Sequence, residues 1–388
     1  MKRIWNCGKT LAVLVVLTAV AMTFACAPKG RAPISEMDTP AHHTVMGMRM
    51  LERGNAVEAA KEFQYALELD KRYAQAHAGL AVVKALQGEF PTAFQELKDA
   101  KRYAVTKEDK VAAYVAAIRV NTLNKADKEW LAKAREAYDR VVEIDPNAPA
   151  GPFFMGLAYK DALDFNQAGQ MFARVLELKG DYVGRADAEW QLVQKIQRAM
   201  PGTEAGKRIA VRDWITRADA AALFMEELKI DVLYRKRMPK RFDTAFKDPE
   251  KAKAAAGTAI LATDIADHFL KADIEGILRI GVRGLEVYPD GTFRPGEAVD
   301  RASYAMMIED ILVKLTGDES LATKYIGNPS PFPDLRSDLP YFNAVMVMTS
   351  RGIMEAVDIT SGEFAPLRPI AGVDALLVIR KLKEELKF

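Results

Sequence analysis

Tyr288-Pro289-Asp290-Gly291-Thr292-Phe293-Arg294-Pro295-Gly296-Glu297-Ala298-Val299-Asp300-Arg301-Ala302-Ser303-Tyr304 is the stretch that decides how the second half of the chain folds. Pro289-Asp290-Gly291 signals a turn, because glycine supplies the positive φ that such a turn needs. Asp300 stands just before an apolar run (Tyr304, Ala305, Met306, Ile308), the pattern of an N-capped helix. The spacing therefore predicts a tight aromatic turn and then a helix, with an arginine one residue inside the helix start.

The same pattern recurs on both sides. Upstream lie Asp264-Ile265 and a helix carrying Ile274, Ile277 and Leu278 before Ile280-Gly281. Earlier still, Ile215-Thr216-Arg217-Ala218-Asp219 opens another helix with Ala221, Leu223, Phe224 and Leu228 on its apolar positions. Downstream, Phe332-Pro333-Asp334-Leu335 leads through Gly352-Ile353 to Phe364-Ala365-Pro366-Leu367-Arg368-Pro369 and a helix from Ile370. At that third start Ala371-Gly372-Val373-Asp374 lacks the arginine.

The Tyr-Pro-Asp-Gly-Thr-Phe turn and the Thr-Arg-Ala-Asp helix start resemble the S-layer homology module of bacterial envelope proteins. The resemblance covers roughly residues 183–388, as three units of which the first and third diverge. It implies a mainly helical, pseudo-threefold domain with cell-wall polysaccharide gripped in grooves between units. Arg217 and Arg301 are the expected anchors. A guanidinium offers two parallel donors to the pyruvate-ketal or uronic carboxylates of wall polymers, and the helix start beginning at Thr216 adds N–H donors. Trp214, Tyr288 and Phe293 are candidates to stack on sugar rings, while Asp290 and Gly291 shape the turn. A second reading of these residues stands beside this one: they hold turn against helix, with Arg301 capping or pairing with Glu297 or Asp300. Gly372 leaves at most two grooves of this kind.

The first half is a repeat. Met46-Gly47, Gly54, Ala59, Phe63 and Ala66 recur as Leu80-Ala81, Gly88, Ala93, Leu97 and Ala100, each pair 34 residues apart. A third unit ends in Ala134, Tyr138, Val141 and Asp145-Pro146, with a longer turn around Asn121–Asp127. A fourth shows Met155-Gly156, Tyr159, Phe165, Ala168 and Phe172. These look like tetratricopeptide repeats over 41–182. Small residues let paired helices approach, and Phe63, Leu97 and Phe172 fill the gap to the next hairpin. One hairpin cannot bury its apolar face alone, so the units stack around a concave groove, which implies a protein partner. The fold class is thus all-α: a helical-hairpin solenoid followed by the three-unit domain. A helix over about 186–200 either caps the solenoid or opens that domain.

The N-terminus carries a targeting signal. Lys2, Arg3 and Lys9 precede an uncharged apolar run from Leu11 to Ala25, too short for a comfortable membrane span. Ala25-Cys26 resembles a lipobox, which implies a signal peptide over 1–25 and acylation of Cys26; an ordinary secretory peptide or an uncleaved anchor is the other reading. Ala27 after the cysteine implies outer-membrane sorting in a two-membrane cell, with the protein facing the periplasm. Pro28, Gly30, Pro33 and Pro40 make 26–40 a flexible tether. The formal charge is +2, and losing the leader takes it to about −1, which disfavours general nucleic-acid binding.

Catalytic chemistry has little support. The four histidines (His42, His43, His77, His268) form no zinc-type pairing, and His77 reads as a packing residue. No nucleophile elbow or phosphate loop occurs, and neither metal nor cofactor is expected. Arg235-Lys236-Arg237 and Lys240-Arg241 read first as a solvated loop. The expectation is a non-enzymatic envelope lipoprotein that binds peptidoglycan-associated polysaccharide and a protein, as tether or scaffold. The alternative is a pilotin- or chaperone-like assembly lipoprotein with a purely structural second half.

Overall fold

The computed structural model describes residues 31–237, 262–358 and 360–387. The leader, Cys26, and Lys240 to Phe242 lie outside the described residues. The chain forms two compact units with the boundary between Asp187 and Ala188. That boundary falls inside the helix Val183–Ala199, so its later half belongs with the second unit.

The first unit is built of helical hairpins: α1 (Pro40–Glu52) with α2 (Ala56–Leu69), α3 (Ala74–Leu86) with α4 (Phe90–Tyr103), α5 (Lys107–Leu123) with α6 (Trp130–Ile144), and α7 (Ala150–Asp161) with α8 (Phe165–Leu178). Thr39 and Asn55 cap α1 and α2 by accepting from the amides of His42 and Glu58. Gly54 and Gly88 take φ of 76° and 79° at equivalent turns, where a side chain would be strained. The third hairpin turn occupies 124–129, against 53–55 in the first. The extra turn length predicted there is present, although Asn121 itself is still helical.

Phe63 explains the repeat spacing. A Cβ on Gly47 would lie 2.6 Å from its ring, and Gly79 of the next hairpin presses on the same ring. Gly156 stands in the same relation to Phe172, at 2.6 Å. Both rings are fully buried. Residues 31–39, read with the tether, are instead held to the first hairpin. Arg31 donates from two nitrogens to Asp38 at 2.8 and 2.9 Å, and its amide donates to the Glu68 carbonyl at 2.7 Å.

The second unit contains the later half of α9 (Val183–Ala199), then α10 (Glu204–Ala210), α11 (Arg217–Ala222), α12 (Ile230–Arg237), α13 (Lys271–Ile280), α14 (Arg301–Thr316), α15 (Phe342–Ser350) and α16 (Gly372–Glu385). Among the described residues no strand forms; two isolated bridges do, Thr216 with Ala298 and Asp300 with Pro369. They belong to a closed ring of three backbone hydrogen bonds. Ile215 N donates to Ile370 O, Ile370 N to Val299 O, and Val299 N to Ile215 O, each at 3.0 Å. All three side chains are buried, two residues before the starts of α11, α14 and α16. A second cycle follows, in which Arg217 N donates to Glu297 O, Arg301 N to Arg368 O, and Gly372 N to Arg212 O. Each unit thus leans its helix start on the next unit's entry loop, which is the pseudo-threefold closure.

Candidate polymer-binding cleft

Two turns of the second unit are each pinned by an aspartate from further upstream. Asp264 accepts from the amides of Phe293 and Arg294, both at 2.7 Å. Asp334 accepts from Phe364 and Ala365 at 3.0 and 2.6 Å. Arg294 and Ala365 take matching left-handed φ of 55° and 54°. The two carboxylates therefore hold two copies of one local geometry.

Within the first copy, Gly291 has φ 79° and its carbonyl accepts from Thr263 N at 3.0 Å. Asp290 accepts from the Thr292 hydroxyl and amide and from Arg294, which pulls its carboxyl down to about 2. Asp290 and Gly291 shape the turn, as the residue types suggest.

Arg217 and Phe293 do not sit where ligand contact requires. Phe293 is 0% exposed and so is unavailable for sugar stacking. Arg217 is 6% exposed. Its Nε donates to Phe293 O at 2.8 Å, Nη1 to Gly284 O at 2.5 Å and Nη2 to Glu286 O at 2.8 Å. The guanidinium staples the first helix start to the next unit's turn, because three backbone carbonyls converge there. Thr216 is likewise engaged: its hydroxyl takes part in a capping box with Asp219. Tyr288 is half-buried, with the Arg217 and Arg294 guanidinium centres 4.8 and 4.0 Å from its ring and its hydroxyl donating to Glu297 at 3.1 Å. Trp214 alone of the aromatic candidates is open, at 54% exposure.

Arg301 differs. It repeats the staple with Nε to Phe364 O at 2.8 Å and Nη2 to Glu355 O at 2.6 Å, and it does not pair with Glu297 or Asp300. Asp300 instead caps α14 through Ser303 N. Arg301 is 7% exposed, yet it lines a cleft of about 740 Å³. No hydrogen bond engages its Nη1 among the described residues. Burial pushes its guanidinium below the usual arginine range, against the pull of Asp374.

The cleft is walled by α9, the segment 352–357, the loop 368–371 and α16. Lys195, Arg198, Arg301, Arg368, Arg380 and Lys381 line it, against Asp213, Glu355, Asp374 and Glu384. Cations exceed acids. Lys195 pairs with Asp374 at 2.5 Å, and Arg380 and Lys381 share Glu384 at 3.0 and 3.7 Å. Arg380 also donates to the Arg198 carbonyl. Arg368 is exposed, and its side chain bears no hydrogen bond or ion pair among the described residues. Such a lining suits a chain of anions better than a neutral sugar.

Sequence reading missed Lys195, Arg198, Arg380 and Lys381. The available signals were the i, i+3 spacing of Lys195 and Arg198 and the basic end of α16. Gly372 now has a cause. A Cβ there would run into the backbone carbonyl of Ile209, so α10 fills the space a third arginine would need.

Residues 285–305 match the S-layer homology domain family, a span that holds the turn and the start of α14. No curated protein matches the chain. Among solved structures, one described as "Functional Characterization of Pseudomonas Aeruginosa pilF" is 19% identical over 42% of this chain and 93% of its own length, with a TM-score of 0.21.

Proposed function

We propose that this chain is a non-enzymatic cell-envelope lipoprotein, acylated at Cys26 on the outer membrane and facing the periplasm. Its second unit binds an anionic peptidoglycan-associated polysaccharide, and the groove of its repeats binds a protein. The two grips on one chain act as tether or scaffold, each raising the effective concentration of the other. The observation that carries the polymer half is the cleft at Arg301, where five other cationic side chains surround a guanidinium fixed by backbone carbonyls. The match of 285–305 to a cell-wall-associated domain family supports it. The polymer site on this reading is the cleft lined by α9, Arg301 and α16, and Arg217 holds the frame.

Co-sedimentation of the mature full-length protein with isolated sacculi tests this. Retention is expected on native sacculi, and loss after acid extraction of their secondary polymer or in high salt. Equal pelleting with and without the polymer contradicts the reading. Protein capture with no sacculus retention favours the assembly-lipoprotein role instead.

A further inference from the structure

Residues 31–38 form a loop that is closed on itself, fastened to the first hairpin, and apolar on its outer side. Asp38 is 9% exposed and is the knot. It accepts from Arg31 Nη1 and Nη2 at 2.8 and 2.9 Å and from Ile34 N at 2.6 Å. It is also hydrogen-bonded to Nε2 of His43 in α1 at 2.9 Å. The Asp38 amide donates to Ser35 O at 3.1 Å. Arg31 Nε lies 3.3 Å from the Glu68 carboxylate of α2, and the Arg31 amide donates to the Glu68 carbonyl. Yet Ile34 is 84% exposed and Met37 63%, and no large apolar side chain among the described residues is more exposed than Ile34. A loose tether bares its side chains by moving. Here the backbone is held, so the two side chains are presented in fixed places.

We infer that this loop rests on a lipid surface, with Ile34 and Met37 seated at the boundary between headgroups and acyl chains. This rests on the proposal that Cys26 is acylated. Arg31, the first fixed residue, follows Cys26 by five positions, and five residues span at most about 18 Å. An acylated Cys26 therefore keeps the loop beside the bilayer, where apolar side chains gain most by leaving water. A second copy of the chain fits less well as the occupant. A stable dimer buries about 800 Å² on each partner, and a loop of this length bearing two large apolar side chains falls short of that. Acyl chains alone leave the protein free to swivel about the anchor. A second contact at a knotted loop fixes how the first hairpin faces the membrane.

The test uses the full mature protein in vesicles of phosphatidylethanolamine and phosphatidylglycerol. The chain has two cysteines, Cys7 in the leader and Cys26, so an added cysteine takes a single environment-sensitive label once Cys26 is blocked by acylation. The label is placed by Ile34→Cys and, as a control, by Val105→Cys, a position 82% exposed between α4 and α5. At 34 the emission is expected to move to the blue and to fall by at least about half with nitroxide lipids, more with shallow than with deep nitroxides, as for a group about 5–10 Å into the interface. At 105 it is expected to stay aqueous and unquenched. Ile34→Asp with Met37→Asp, read by a label at Ser35→Cys, should abolish the quenching that the same label shows in the otherwise native loop; melting confirms that both are folded. An aqueous, unquenched label at 34 on protein whose acylated mass is confirmed overturns the lipid contact while the anchor reading stands. A blue shift without lipid quenching shows that protein covers the loop and also overturns it, as does equal quenching at 105 or quenching indifferent to the two aspartates. Mature protein with an unmodified Cys26 overturns the anchor reading and this proposal together.

Discussion

The amide of Ile215 donates to the carbonyl of Ile370 at 3.0 Å, and through Val299 the bond returns to Ile215. Three segments far apart in the chain thus satisfy one another's backbone groups in a ring whose side chains are buried. Buried amides and carbonyls need partners, and here each of the three units supplies the next. This closure fixes the directions of α11, α14 and α16, and so places Arg217 and Arg301.

Arg217→Ala is expected to destabilise the protein by about 3 kcal/mol, because the carbonyls of Gly284, Glu286 and Phe293 lose their donor together. Lysine restores little, having no planar fork to reach three acceptors. Denaturant unfolding of the second-unit transition checks this. An unchanged midpoint contradicts the staple.

Gly372→Ala is expected to cost about 2 kcal/mol or more, since its Cβ meets the carbonyl of Ile209 in the backbone rather than a side chain that can swing away. Gly296→Ala is the control, because nothing lies within 4 Å of a Cβ there. Equal melting of the two variants contradicts the packing.

The pair His77 and Glu96 repeats His43 and Glu62 at the 34-residue period, with Nδ1 to carboxylate distances of 2.6 and 2.7 Å. Burial opposes protonation of both imidazoles, but the carboxylate bonds outweigh it and both pKa values are raised. A raised folded pKa contributes stability that is full below the ordinary value of about 6.5 and is lost as pH rises through the higher folded value. The first unit should therefore melt lower at pH 8 than at pH 6. The double variant His43→Gln, His77→Gln should flatten that slope. A slope unchanged in the double variant contradicts the pairing.

How much of this was legible depends on distance along the chain. The 34-residue period exposed Gly47, Gly79's neighbours and Phe63, because helix packing repeats locally. The helix starts near Thr216 and at Asp300, the latter as a cap, were visible for the same reason. The direction of Arg217 was not. Its acceptors are Gly284, Glu286 and Phe293, and nothing adjacent to Arg217 says whether a guanidinium turns in or out. The cleft was hidden further, because Lys195 and Lys381 come together only once α9 and α16 line the same wall. The missing arginine at Gly372 was legible as a departure from the pattern, but its reason lies in Ile209, whose carbonyl a Cβ there would meet.

The central claim is that the Arg301 cleft holds an anionic wall polymer, and charge reversal tests it most directly. The side chains of Arg368 and Lys381 line the cleft and take no part in the closure, which Arg368 joins only through its backbone carbonyl. The double variant Arg368→Glu, Lys381→Glu, compared with the native protein by titration with purified wall polysaccharide over a range of salt, should bind at least about 10-fold more weakly, with a shallower salt dependence and unchanged melting. Affinity and salt dependence equal to the native protein's would contradict the account.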